Sequence, residues 1–166
     1  LGLCPFAATP RRQGRVVFRV CDGSGPEVIY REVLQALEAF LLADAVEQET
    51  ALVIVPGGLE EFSEYLELLQ ALDDSLESAG LNQWVQLASF HPAYRFDGAA
   101  PDDPANFTNR SPHPMFHIIR EESLTQALAD YPEPEAIPQR NVQRLRQIGA
   151  DGMATLLNAT LERGAG

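Results

Sequence analysis

The feature that most constrains the fold is the apolar stretch Ala-Leu-Val-Ile-Val at residues 51–55. It is continuous, rich in β-branched residues and followed by Pro56 and two glycines. This pattern is typical of a strand that is buried on both faces, and therefore of the centre of a sheet. The stretch is far too short to cross a bilayer. Amphipathic helical patterns lie on both sides of it, which predicts a layered domain.

The hydrophobic pattern of the rest of the chain predicts three more strands and four helices. Strands are expected at residues 14–20, 83–90 and 116–120, beside the one at 49–56. Helices are expected at residues 27–43, 59–78, 123–129 and 138–162, the last bent near Gly149 or Gly152. The order β-α-β-α-β-β-α-α predicts an α/β (or α+β) sandwich with a small mixed four-stranded sheet. The core is expected to include Trp84 and a stripe formed by Phe62, Tyr65, Leu66, Leu69 and Leu72.

Length and composition fit one domain. The chain has 166 residues, of which 45% are hydrophobic, so residues 1–166 can form a single core without disulfides. Three prolines in residues 131–138 predict a linker before the C-terminal helix. Residues 97–114 have little apolar periodicity but contain Phe and Pro, which predicts an ordered, functional loop.

The charge excludes several classes of function. The net charge is −12, which argues against binding to nucleic acid or to an anionic membrane surface. All 12 basic residues are Arg, so Schiff-base chemistry and a Walker-type phosphate loop are excluded because both need a Lys.

The two cysteines are too few for a disulfide framework and favour a cytoplasmic protein. Cys4 is a candidate reactive thiol, although burial as a small hydrophobic residue is expected more often; for Cys21 we expect a structural role.

Residues that carry chemistry cluster between residues 89 and 120. All three histidines, His91, His113 and His117, lie there. The same segment contains the polar candidates Arg95, Asp102, Asp103, Asn109, Arg110, Ser111 and Arg120. His91 follows a predicted strand, and α/β sheets commonly present functional side chains from strand ends.

Three motifs resemble a known family. They are Leu-Cys-Pro-Phe-Ala at residues 3–7, Ser-Phe-His-Pro-Ala-Tyr-Arg-Phe at 89–96 and Asn-Arg-Ser-Pro-His-Pro-Met-Phe-His-Ile-Ile-Arg at 109–120. In this order they resemble an uncharacterised bacterial family, the domain of unknown function DUF1415, over nearly the whole chain. Members of that family begin slightly upstream, so the chain is expected to be cut at its start. The resemblance implies a family but no reaction and no cofactor.

Three interpretations of the cluster remain open. In the first, the protein is a metal-free enzyme for a small anionic molecule, a carboxylate or a phosphate. His91 would be its acid or base, with Asp102 or Asp103 orienting it. Arg95 and Arg110 would hold the anion, and the supporting candidates are Asn109, Ser111, His113 and Arg120.

In the second interpretation, His91, His113 and His117 bind a metal, with help from Asp102, Asp103 or Cys4. In the third, the protein is a non-catalytic interaction domain. We favour the first interpretation and expect a small-molecule ligand; the oligomeric state is left open.

Overall fold

The computed structural model describes residues 1–129 and 131–163 of the chain. Its strands form one mixed sheet and are β1 (Val16–Val20), β2 (Thr50–Ile54), β3 (Val85–Phe90) and β4 (Met115–Arg120). The order across the sheet is β1-β2-β4-β3. β1 is parallel to β2, whereas β4 is antiparallel to both of its neighbours. The predicted α/β class, the mixed four-stranded sheet and the order of elements are confirmed.

The helices in this part of the chain are α1 (Ala8–Arg12), α2 (Pro26–Leu42), α3 (Phe62–Ser78), α4 (Glu121–Ala129), α5 (Ile137–Ile148) and α6 (Ala150–Arg163). The short helix α1 was not predicted. The predicted C-terminal helix is divided at Gly149, whose φ of 80° is a conformation that glycine adopts without strain. Residues 131–138, predicted as a linker, contain a 3₁₀ turn at Pro134–Ala136 and the start of α5.

One face of the sheet is buried beneath α2 and α3. The core residues that meet there include Ile29, Val33, Phe40, Val53, Tyr65, Leu72, Phe116 and Ile118. Tyr65 also ties two strands together, because its hydroxyl donates to the Met115 carbonyl (2.8 Å) and accepts from the Phe90 amide (3.1 Å). Burial raises the pKa of Tyr65, so the phenol stays protonated and able to donate.

Two core predictions are wrong. Leu66 is 42% exposed, because the buried stripe of α3 runs through Tyr65, Leu68, Leu72 and Leu76 instead. Trp84 is 62% exposed. Trp84 lies in the turn just before β3, whereas the next residue, Val85, begins the strand and is buried in the core.

The other face of the sheet, which we call the open face, is only partly covered. The strand register places Phe18, Leu52, His117 and Ala88 in one row across it. Residues 3–11 and α4 lie over its middle, around Leu52 and His117. Phe18 and Val20 on β1 remain 62% and 58% exposed. An apolar sheet face with incomplete cover leaves room for a cleft.

Candidate functional site

His91 lies on the helix-covered side of the sheet. It is 1% exposed and packs against Phe62 and Tyr65, with ring centroids 5.2 Å away in each case. Its Nδ1 accepts a hydrogen bond from the Ala93 amide (3.0 Å), so Nε2 carries the proton and donates to the Leu59 carbonyl (2.8 Å). Both ring nitrogens are therefore engaged by backbone. Catalysis by His91 stays a prediction, and it would require one of these bonds to break.

Arg110 holds its own loop together. Its Nε donates to the Tyr94 carbonyl (3.3 Å) and its Nη2 to the Pro101 carbonyl (2.8 Å). The guanidinium lies 4.4 Å above the Phe107 ring centroid, and partial burial lowers its pKa. Arg95, by contrast, is exposed. Anion binding by Arg95 and Arg110 stays a prediction, and the Arg110 guanidinium already donates to backbone carbonyls of its own loop.

Arg120 caps the C-terminal end of α2. Its guanidinium donates to the carbonyls of Phe40 (2.7 Å), Ala43 (3.0 Å) and Gln48 (2.9 Å). It also stacks on the Phe40 ring at 4.3 Å. A cation that satisfies carbonyls at a helix C-terminus is a structural device. These contacts leave little of the guanidinium for a ligand.

The acidic candidates differ in environment. Asp103 accepts from the Ala105 amide (2.9 Å) and pairs with Arg146 of α5 (2.6 Å). The Arg146 guanidinium is the main reason that the pKa of Asp103 is lowered to about 2. Asp102 is exposed. Asn106, which was not predicted, is fully buried at the centre of this loop.

The remaining candidates also hold the loop or face solvent. Asn109 donates from Nδ2 to the Ser89 carbonyl (2.9 Å), and buried Ser111 donates to the His113 carbonyl. The imidazole of His113 is exposed. A 3₁₀ helix at Pro104–Thr108 packs against α5 within this segment. These contacts hold residues 97–114 in place, and the role of this segment as a functional loop stays a prediction.

The histidines do not form a metal site. Across residues 1–129 and 131–163, no group of three or more His, Cys, Asp or Glu side chains is close enough to hold an ion. His91 packs among the aromatic residues beneath α3, His113 is in solvent, and His117 lies on the open face. The alternative metal site therefore has no ligand set in this part of the chain.

The structure has a cleft of about 220 Å³ on the open face. We call this the open-face cleft. Its apolar walls include Phe6, Pro10, Phe18, Leu52, Ile119 and Leu124. The side chains with polar groups that line it are Cys4, Arg11, Glu49, Thr50, His117 and Ser123.

The N-terminal segment that roofs the cleft is anchored from the far end of the chain. Asn141 of α5 donates to the Leu3 carbonyl (2.8 Å), and the Phe6 and Tyr131 rings meet edge to face at 5.4 Å. These contacts hold exposed Cys4 at the cleft, contrary to the expectation that it is buried. Cys21, in contrast, is buried, and burial raises its pKa to about 11.

His117 is the central polar group of the cleft. The Thr50 hydroxyl donates its one hydrogen to the Ile118 carbonyl (2.8 Å). The 2.5 Å contact between Thr50 Oγ1 and His117 Nε2 must then be donated by the imidazole. Nδ1 therefore carries the lone pair. Among the described residues, every fully buried side-chain nitrogen has a hydrogen-bond partner, but Nδ1 of His117 has none. Nδ1 is therefore exposed to solvent, and His117 lines the cleft.

Burial fixes the charge of this imidazole. Desolvation lowers the pKa of His117 to about 4, because an apolar environment disfavours the charged form. At neutral pH the ring is uncharged and presents Nδ1 as a hydrogen-bond acceptor. The sequence indicated His117 only as an alternative metal ligand, and neither Thr50 nor Arg11 was predicted. The alternation of β4, which puts His117 opposite buried Phe116 and Ile118, was the available signal.

These features define the molecule as an α/β sandwich domain with a ligand-sized cleft on the less covered face of its sheet. None of its helices, among the described residues, is long and apolar enough to span a membrane. The chain belongs to the DUF1415 family of proteins of unknown function, whose family model matches residues 1–155. No curated protein and no solved structure gives a significant match.

Proposed function

We propose that this protein binds a small, mainly apolar molecule in the open-face cleft. The observation that carries the proposal is an acceptor nitrogen of a neutral imidazole, His117 Nδ1, in a cleft whose walls are mainly apolar. Ligand sites typically combine apolar walls with a few placed polar groups. The volume of about 220 Å³ is below the range of roughly 300–1,000 Å³ that suits drug-sized ligands, so a smaller molecule is expected.

The polar groups define what the ligand should carry. His117 Nδ1 needs a hydroxyl or N–H donor. Thr50 has already used its hydrogen on the Ile118 carbonyl, so it orients the imidazole and does not donate to the ligand. The preferred ligand therefore has an apolar body and one hydrogen-bond donor.

The site differs from the one that the sequence favoured. A carboxylate or phosphate site formed by His91, Arg95 and Arg110 would need side chains that are partly committed to backbone contacts. The open-face cleft needs no such rearrangement. This difference is why we place the small-molecule site there.

The proposal can be tested with p-cresol, which joins a small apolar body to one hydroxyl. The His117 imidazole resonances should shift on titration by NMR, and alkylation of Cys4 by iodoacetamide should slow. Cys21 is the internal control, because its burial and raised pKa make it unreactive with or without p-cresol.

A matched pair of variants separates the cleft from other surfaces. Ala127 of α4 lines the cleft, whereas Ala129 of the same helix is exposed and does not. Ala127→Leu should fill the cleft and abolish both effects of p-cresol, while Ala129→Leu should preserve them. Binding that survives Ala127→Leu, or no response of His117 to p-cresol, would overturn the proposal.

A further inference from the structure

We infer that the ligand of the open-face cleft is a monocarboxylate whose negative charge is held by Arg11. This inference rests on the proposed function and adds the chemical class of the ligand. Among the described residues that line the cleft, Arg11 is the one basic residue apart from the neutral His117. It lies in the last turn of α1, next to the apolar walls.

The charges around the cleft leave Arg11 available. Glu49 is the one carboxylate among the described residues that line the cleft, and it already pairs with Arg15 at 3.3 Å. Within the described residues, no carboxylate oxygen lies within 4.0 Å of the Arg11 guanidinium. The charge of Glu49 is therefore balanced by Arg15, and in the part of the chain that the structure describes no carboxylate pairs with Arg11. An anionic ligand would supply such a partner.

A guanidinium is well suited to this role. Its planar N–H groups can bind a carboxylate through two parallel hydrogen bonds, which is stronger than a neutral hydrogen bond. Arg11 is exposed, but the apolar walls beside it shield one side of such a pair from water, which strengthens the attraction. A ligand with its carboxylate at Arg11 and its apolar body along Leu52 and Ile119 would use both features of the cleft.

The charge around the cleft favours a ligand with one negative charge over a ligand with two. The chain carries a net charge of −12, and Glu122 lines the hollow that adjoins the cleft beside Glu49. This field repels a dianion, such as a phosphate monoester, more strongly than a monocarboxylate. Together with the acceptor at His117, the arrangement fits a small apolar hydroxycarboxylic acid.

The neighbouring residue provides a control. Arg11 and Arg12 are both exposed, but Arg12 does not line the cleft and donates to the Thr9 hydroxyl (3.4 Å). Arg11→Gln and Arg12→Gln therefore remove the same charge from adjacent positions, and only the first removes it from the cleft.

The experiment compares three probes that share one ring and hydroxyl: p-cresol, 4-hydroxyphenylacetate and (4-hydroxybenzyl)phosphonate. Affinities are measured from His117 shifts by NMR. We expect 4-hydroxyphenylacetate to bind about tenfold more tightly than p-cresol, since its carboxylate can form a charge-assisted hydrogen bond with Arg11 that the methyl group of p-cresol cannot. Arg11→Gln should remove that difference, so that the variant binds 4-hydroxyphenylacetate and p-cresol with similar affinity. Arg12→Gln should keep the difference.

Each outcome has a separate meaning. If p-cresol binds but the carboxylate gains nothing, or if its gain survives Arg11→Gln, the inference fails and the proposed function stands. Tighter binding of the phosphonate than of the carboxylate would also overturn the inference. If none of the three probes shifts His117, the proposed function itself fails.

Discussion

The two faces of the sheet each contain a histidine, and the two imidazoles differ in their hydrogen bonds. On the covered face, His91 is 1% exposed and gives both ring nitrogens to backbone groups. On the open face, His117 gives one nitrogen to Thr50 and presents the other to a cleft. His91 is fully buried and His117 is partly buried, but this difference alone does not decide which ring can meet a ligand. The difference that matters is whether protein groups hydrogen-bond to both ring nitrogens, as for His91, or to one, as for His117.

The same contrast extends to the apolar residues. Beneath α2 and α3, side chains from the helices fill the space over the sheet, and the core there is continuous. Over the open face, residues 3–11 and α4 leave a cleft of about 220 Å³. The covered face therefore holds the continuous core, and the open face keeps the space in which we propose that a ligand binds.

The largest effect should come from truncating neighbouring isoleucines of β4. Ile118 is fully buried on the covered face, whereas Ile119 lines the cleft. We expect Ile118→Ala to lower the free energy of unfolding by about 4 kcal/mol and Ile119→Ala by about 1–2 kcal/mol, because a space open to solvent costs less than a sealed cavity. Urea unfolding measures both. Equal losses would show that the two faces do not differ in packing.

A second prediction uses the lowered pKa of His117. Below pH 6.5 the unfolded chain takes up a proton on this residue, whereas the folded protein does so only near pH 4. The folded state therefore loses stability as the pH falls through this interval, by up to roughly 3 kcal/mol from this group.

The control for that pH dependence is His117→Gln, which removes the titrating group. Urea unfolding at several pH values between 4 and 7 should give a shallower loss of stability in the variant than in the parent protein. Identical slopes would mean that His117 titrates normally and that the imidazole is not desolvated.

The third prediction compares the two histidines directly through Leu substitutions of similar size. His91→Leu should lower the free energy of unfolding by about 2 kcal/mol, since the Leu59 carbonyl and the Ala93 amide lose their partners. His117→Leu should cost less than about 1 kcal/mol, because Thr50 keeps its bond to the Ile118 carbonyl. The reverse order, measured by urea unfolding, would contradict the roles assigned to the two rings.

The smallest effect is expected away from both faces, where α5 meets residues 97–114. There Arg146 pairs with Asp103 on the surface. Arg146→Gln should lower the Tm slightly, because exposed ion pairs contribute little. The difference should vanish in about 1 M NaCl, where surface charges are screened. A large, salt-independent loss would show that this contact is part of the core.

Much of the fold was predictable because it follows from local patterns. The run at residues 51–55 forms most of β2, which lies inside the sheet as predicted, but β2 is buried on one face only, since Leu52 lines the cleft. The predicted bounds of α2 and α3 agree with the structure at their C-terminal ends within about a residue. Trp84 was misassigned because hydrophobicity alone does not say which side of a sheet will be covered. Helix α1 is too short to produce a clear periodic signal.

The site was less predictable for a related reason. The clustering of His91, Arg95 and Arg110 in the sequence indicated a functional loop, but Arg110 and Asn106 hold that loop together. The cleft instead collects residues 4, 11, 50 and 117, which lie on four separate elements or segments. Such a set has no signature in local spacing.

The sequence by itself determined the class of fold, because hydrophobic periodicity and turn residues act over a few positions of the chain. It also identified the histidines as the groups able to exchange protons near neutral pH. Only the tertiary structure decided which histidine keeps a free nitrogen. That choice depends on strand register and on the cover supplied by residues 3–11 and α4, since these long-range contacts set which polar groups each ring meets.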